Sequence, residues 1–318
     1  MHQRTRRTLV QLFLTFMIAV VGASAQPYGY VANMSGNQVV VINRATNTPI
    51  AWIRVPGAPS SLAITPDGAH LYVTCQNSNI VTVVSLATNS IVSSIAVGLN
   101  PVHVAISPNG AFAYVANQGS NNVSIINTST GTVLATVPVG SRPGGVSFTK
   151  DGYHALVANR YAATVSVIST ASHSVVGTWH TLNGPCAVAL SPDGTVAYVT
   201  NQYSNAVTEH SVLSGAILAT IPGFNSPNGI AITPTGGRIY VTNGNGLSVS
   251  AVDTLSRKII ANVSTGLLPT SVAISADGST AYVTNAYANS VSVVKTSTNI
   301  ATAISRIGVY PISVALYR

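Results

Sequence analysis

Residues 101–117 read PVHVAISPNGAFAYVAN, and each part of this stretch returns along the chain at a fixed interval of 42 residues. Its closing tetrad begins at Tyr114 and has counterparts at Tyr30, Tyr72, Leu156, Tyr198, Tyr240 and Tyr282. Its opening proline has counterparts at Pro59, Pro143, Pro185, Pro227, Pro269 and Pro311. Between them lies a glycine turn: Asn109-Gly110 here, and Asp67-Gly68, Asp151-Gly152, Asp193-Gly194 and Asp277-Gly278 elsewhere, weakened only at Thr235-Gly236. Two markers kept in one register over seven copies, and a third over six, define a repeat protein.

Outward from that stretch, each repeat holds four short strands. Val102 to Ser107 leads into the Pro-Asn-Gly turn, and Ala113 to Asn117 into a polar connection. Val123 to Asn127 follows, then Ser129-Thr130-Gly131 turns into Val133 to Val139. Asn-Gly and Asp-Gly close hairpins because both residue types tolerate positive φ. Four antiparallel strands every ~40–45 residues is the spacing of propeller blades. Third strands such as Val81-Thr82-Val83-Val84 are almost wholly apolar, as expected of sheets covered on both faces. The expected fold is all-β, a seven-bladed β-propeller with four antiparallel strands per blade. The repeats open on a second strand, Tyr28 to Asn33, and finish on a first strand, Pro311 to Arg318. The C-terminal strand is therefore expected to complete the N-terminal blade, removing the edges an open ring would expose. A linear solenoid would need capping repeats, which the sequence lacks.

The YVTN tetrads, the VSVI-type third strands and the P-x-x-VAISPDG segments resemble the YVTN-repeat β-propeller family of prokaryotic surface and periplasmic proteins. The resemblance spans essentially the whole chain after residue 25. It implies the propeller fold and a place in the envelope or at the cell surface. Its residues are the architecture itself, so it implies no particular chemistry.

Charged residues make up only 6% of the chain and hydrophobic ones 47%, far from the composition of a disordered protein. At the N-terminus Arg4, Arg6 and Arg7 precede the apolar stretch Leu9 to Val21, and Ala23-Ser24-Ala25 supplies a small-x-small cleavage pattern. This reads as a signal peptide over residues 1–25, leaving one propeller domain over 26–318. Thr5-Arg6-Arg7-Thr8-Leu9 also resembles a twin-arginine signal. An exported protein, periplasmic, cell-surface or secreted, is expected, without a transmembrane segment, because the apolar stretch is too short for a ~30 Å hydrocarbon core. Cleavage removes three of 14 basic residues, leaving 11 against six acidic ones, a net charge of +5. The cations are scattered, unlike the basic patch of a nucleic-acid reader. Cys75 and Cys186 fall in repeats three blades apart, beyond the ~7 Å between Cα atoms that a disulfide spans, and are expected to be free.

Chain direction puts the connection before each proline and the connection after each YVTN tetrad on one face, the top. The glycine turns and the third-to-fourth strand turns lie on the bottom, with Arg257 and Lys258 among them. Ligands belong in the top connections, since the strands are committed to packing. Asp67, Asp151, Asp193 and Asp277 serve bottom turns, and only Glu209 and Asp253 remain of the carboxylates. That supply is too small for paired-carboxylate hydrolysis or a carboxylate metal centre. No catalytic set, metal or cofactor is expected, and a propeller enzyme of the lactonase type is the rival reading.

Glu209-His210 interrupts a position pair that is apolar or small in the other repeats. It reads as an acid/base pair between blades or as a hydrogen-bonded or solvated pair at the margin of a strand. The second is favoured, because adjacent strand residues face opposite ways. His103 stands two residues after Pro101, where other copies carry Ser61, Gly145, Ala187, Gly229, Ser271 and Ser313, and is a candidate contact at the channel mouth. Arg142, Arg160 and Tyr161 belong to one blade, Tyr203 and Tyr287 repeat the place of Tyr161, and Gln76, Gln118 and Gln202 that of Arg160. Guanidinium groups beside exposed aromatics suit carboxylates, phosphates and sugars. The expected partner is an envelope or extracellular ligand, anionic or carbohydrate. A single-stranded nucleic acid stacked on the tyrosines is the further alternative.

Overall fold

The computed structural model of the protein describes residues 28–317 apart from residue 306, so the expected signal segment over 1–25 lies outside the described residues. Within them 28 strands form seven four-stranded antiparallel sheets, six built of consecutive strands and one that takes its inner strand from the chain's last, Pro311–Leu316. The innermost strands are Pro59–Ile64, Pro101–Ile106, Pro143–Phe148, Pro185–Leu190, Pro227–Ile232, Pro269–Ile274 and Pro311–Leu316. Each packs against the next and the last against the first, closing a ring around a central channel. The fold is the expected seven-bladed β-propeller. We number the blades 1 to 7 from the one that contains Tyr28–Asn33.

Closure occurs in blade 1, where Pro311–Leu316 pairs with Tyr28–Asn33 in the register Gly29 with Leu316 and Val31 with Val314. The Tyr317 N–H donates to the Tyr28 carbonyl at 3.1 Å, and Arg44 Nη1 donates to the Tyr317 carbonyl at 2.8 Å. The Tyr317 ring lies over Gly68, whose φ of 69° suits glycine and where a Cβ would fall inside the ring.

Burial follows position within the blade. Second and third strands are buried through their middle four residues, as in Phe112–Asn117 and Asn122–Asn127. Outer strands such as Thr132–Pro138 are mostly exposed and bury one residue near the top end. The core therefore lies between neighbouring sheets. In one such layer Tyr114, Val123 and Ile125 of blade 3 meet Val146, Val157 and Ile168 of blade 4. Each fully buried aliphatic side chain contributes roughly 1.5–3 kcal/mol.

Two polar devices recur around the ring. In the bottom turns an Asp carboxylate accepts a hydroxyl and an N–H, as Asp67 does from Thr65 Oγ1 at 2.5 Å and Ala69 N at 3.0 Å. These bonds hold the carboxyls of Asp67, Asp151 and Asp193 below the usual carboxylate range, and that of Asp277 at about 2. At the top, the Asn closing a tetrad donates to side chains five and seven residues on, as Asn117 does to Asn122 Oδ1 and Ser124 Oγ, both at 2.8 Å. Cys75 takes this place in blade 2, with Sγ 3.5 Å from Thr82 Oγ1. Both Cys75 and Cys186 are free thiols.

Candidate binding face

The register pairs each inner-strand proline with the Asn or Cys that ends the neighbouring second strand, such as Pro101 with Asn117, so both kinds of connection emerge on the top face. In blade 4 these two connections are joined by backbone bonds. Arg160 N donates to the Arg142 carbonyl at 3.0 Å, and Tyr161 N to the Ser141 carbonyl at 3.1 Å. Arg142 adopts a φ of 53° and its N–H donates to Asn121 Oδ1 of blade 3 at 2.8 Å.

From this base four side chains form an arc. The Arg142 guanidinium lies 5.0 Å over the Tyr161 ring, and the Arg160 guanidinium 5.3 Å over the Tyr203 ring of blade 5. The two rings are 6.3 Å apart with a tilt of 41°. Gln118 Oε1 accepts from Arg142 Nη2 at 3.2 Å, and Gln202 Oε1 accepts from Arg160 Nη2. The place equivalent to Arg142 in blade 5 is Gly184, with φ 76°, where a Cβ would stand 2.6 Å from Tyr203 Cδ2. Glycine there is what lets Tyr203 lean toward Tyr161. Cys186 Sγ donates to the Gly184 carbonyl at 3.3 Å beneath the arc, and burial pushes its thiol up. A guanidinium held flat on a ring keeps N–H edges free for an oxyanion while the ring offers an apolar face.

The carboxylates are segregated, while cations occur on both faces. Arg54, Arg142 and Arg160 are the described cations at the top, and no described Asp or Glu lies there. The carboxylates sit in bottom turns or, for Glu209, inside the lower half of a blade. An anion approaching the top meets attraction without competition from carboxylates.

The other singled-out residues fall elsewhere. Tyr287 stands on blade 7, with its ring 5.5 Å from that of Tyr310, away from both arginines. The enclosed inner strand of blade 3 holds His103, whose Nδ1 accepts the Val146 N–H of blade 4 at 3.2 Å. Ser61 Oγ performs the same task one blade earlier, accepting the Val104 N–H at 3.3 Å, so His103 serves as an inter-blade tie. Burial pushes its pKa down to about 4, which keeps the ring neutral at physiological pH.

Glu209 and His210 are both buried, not solvated, and they do face opposite sides of their strand. Glu209 is held by Arg257 of blade 6, which is therefore not a free bottom-face charge. His210 donates from Nδ1 to the Gly215 carbonyl at 3.0 Å and accepts at Nε2 from Thr208 Oγ1 at 2.9 Å, with its ring stacked on Trp179. The Arg257 contact is absent from the sequence reading, although a signal existed. Glu209 and Arg257 break the repeat in consecutive copies, Arg257 standing where other copies carry Asn47, Asn89, Gly131, His173, Gly215 and Asn299. On the bottom face a groove of about 650 Å³ is lined by Lys150, Asp193, Tyr198, Gly236 and Leu255. Its carboxylate is already engaged by Ser191 Oγ and Thr195 N.

Fold and surface together define a seven-bladed propeller with a cationic-aromatic arc on its top face. No protein-family model matches the chain, and no curated protein matches it. Among solved structures it is similar to Kuenenia stuttgartiensis hydrazine synthase, with 25% identity, 84% of this chain and 92% of that chain covered, and a TM-score of 0.77. It is also similar to the periplasmic gluconolactonase of Pseudomonas aeruginosa, with 19% identity, coverage of 92% and 99%, and a TM-score of 0.77. A protein of unknown function from Desulfotomaculum acetoxidans shares 16% identity over 91% of this chain and 98% of its own, with a TM-score of 0.81.

Proposed function

We propose that this chain is an exported propeller of the YVTN-repeat type that binds an anionic envelope or extracellular ligand on its top face and catalyses no reaction. The arc of Arg142, Tyr161, Tyr203 and Arg160 carries this reading. It concentrates two guanidinium groups and two exposed rings where no described carboxylate competes. Such pairs recognise carboxylates or phosphates attached to a body with an apolar face. Titration with anionic and neutral oligosaccharides tests it. Replacing Arg142 and Arg160 with Ala should weaken binding of the anionic ligand more than about tenfold. Replacing the exposed bottom-face Lys258 and Lys295 removes the same charge and should leave affinity nearly intact. Equal losses from both pairs would reduce the attraction to net charge.

The likeness to a protein named as a periplasmic gluconolactonase favours lactone hydrolysis as a second reading. Against it, His103 Nδ1 is occupied by a backbone N–H and the described carboxylates lie away from the top face. Release of acid from gluconolactone by the purified protein, abolished in a His103→Ala variant that still folds, would establish that reading instead.

A further inference from the structure

We infer that the top face docks the protein on an anionic membrane surface, the lipid phosphates being the anions taken by the arginine arc. This rests on the anionic-ligand reading and names its partner.

The outermost points of the top face are the tips of its connections. Besides Leu247 of blade 6, six carry large apolar or aromatic side chains in water: Leu99, Tyr161, Tyr203, Leu267, Tyr287 and Val309, each more than half exposed. Leu99, Leu267 and Val309 share one position of the repeat, and Tyr161, Tyr203 and Tyr287 share another. These positions flank inner and second strands of equal length, so the repeat sets them at one level around the channel axis. The result is a rim, spread over blades 1 and 3 to 7, and not a cleft. A flat partner meets every tip at once. A ligand lodged in the arc alone would leave Leu267, Tyr287 and Val309 across the face without a role.

The backbone at these tips is suited to a region poor in water. Gly119 N donates to the Leu99 carbonyl at 2.9 Å, Tyr161 N to the Ser141 carbonyl at 3.1 Å and Tyr287 N to the Leu267 carbonyl at 3.2 Å. Polar groups bonded within the loop avoid the cost of losing water to an apolar surrounding. Tyrosine adds an amphipathic ring of the kind that settles at headgroup level.

Charge selects the face. Apolar exposure alone does not, because Leu213 and Leu255 on the bottom are 98% and 91% exposed. On the bottom, however, cations such as Lys150, Lys258 and Lys295 are offset by the turn carboxylates, whereas the top presents Arg54, Arg142 and Arg160 with no described carboxylate beside them. Basic residues near such a surface attract it and are screened by salt.

Co-sedimentation of the mature protein with vesicles of phosphatidylcholine, alone or mixed with phosphatidylglycerol, tests the inference. Binding should require the anionic lipid and fall about fivefold for each arginine lost in Arg142→Ala/Arg160→Ala. Leu267→Ser/Val309→Ser should also weaken it at unchanged charge, while Leu213→Ser/Leu255→Ser should not. Wild-type melting temperatures certify that the variants fold. Failure to sediment with mixed vesicles, or equal losses from the bottom-face leucines, would overturn membrane docking. If the protein ignores mixed vesicles but binds soluble anionic oligosaccharides through Arg142 and Arg160, docking falls and the anionic-ligand reading stands. If the arginine variant changes neither, both fall.

Discussion

Glu209 and Arg257 meet across the boundary between blades 5 and 6, with Nε 2.7 Å from Oε2 and Nη2 3.2 Å from Oε1. The two ends are unequal: the Glu209 side chain is 6% exposed and that of Arg257 49%. Tyr198 pairs with Glu209 on the adjoining strand, and burial, with the Glu209 charge second, pushes its phenol up to about 12. Removing Arg257 strands a buried carboxylate, whereas removing Glu209 leaves a guanidinium that water can reach. Arg257→Asn should therefore destabilise the fold and Glu209→Val much less. The double variant, which returns both positions to residues of other repeats, should recover most of that loss. Urea unfolding of the three variants checks the order, and equal costs for the two single changes would contradict it.

His103 gives the fold a pH dependence of definite sign. The folded ring resists its proton down to about pH 4, while the unfolded chain takes one near the ordinary 6.5. Stability should fall as pH drops through that window, by about 3 kcal/mol at most, and the residue adds no slope above it. His103→Ser keeps an acceptor for the Val146 N–H, as Ser61 does for Val104, and should flatten the fall. His210, whose pKa burial also lowers, should preserve part of it. Unfolding free energies at about pH 7 and pH 4.5 measure the difference.

Deleting residues 311–318 removes the strand that closes the ring. Val314 is buried, and Ile312, Ala315 and Leu316 pack against the adjoining cores. The loss should reach several kcal/mol, at roughly 1.5–3 kcal/mol for each fully buried aliphatic chain. It also bares the edge of Tyr28–Asn33, through which the protein should self-associate. Light scattering on a size-exclusion column, with a thermal melt, reads both effects. A monomer melting like the intact protein would contradict the closure.

Unfolded without reductant, the protein should titrate two thiols per chain. In the native state Cys186, partly exposed under the arc, should react with a thiol reagent well before Cys75, which is fully buried. Burial raises both thiols, so neither should react like an activated cysteine.

The sequence by itself determined the number of blades, the four strands in each, the closing strand and the face on which each loop emerges. It could do so because a repeat kept in register over 42 residues fixes pairing and direction seven times over, and any slip would turn a buried face to water. It also brought Arg142, Arg160, Tyr161 and Tyr203 to one face. Tertiary structure alone decided which of them touch. Arg160 lies on Tyr203 of the next blade, Tyr287 stands apart with Tyr310, His103 became a tie between inner strands, and Glu209 found Arg257. Each of these meetings depends on how a side chain extends from one sheet to its neighbours. Spacing along the chain sets where a side chain starts, and only the packing of neighbouring blades sets what it reaches.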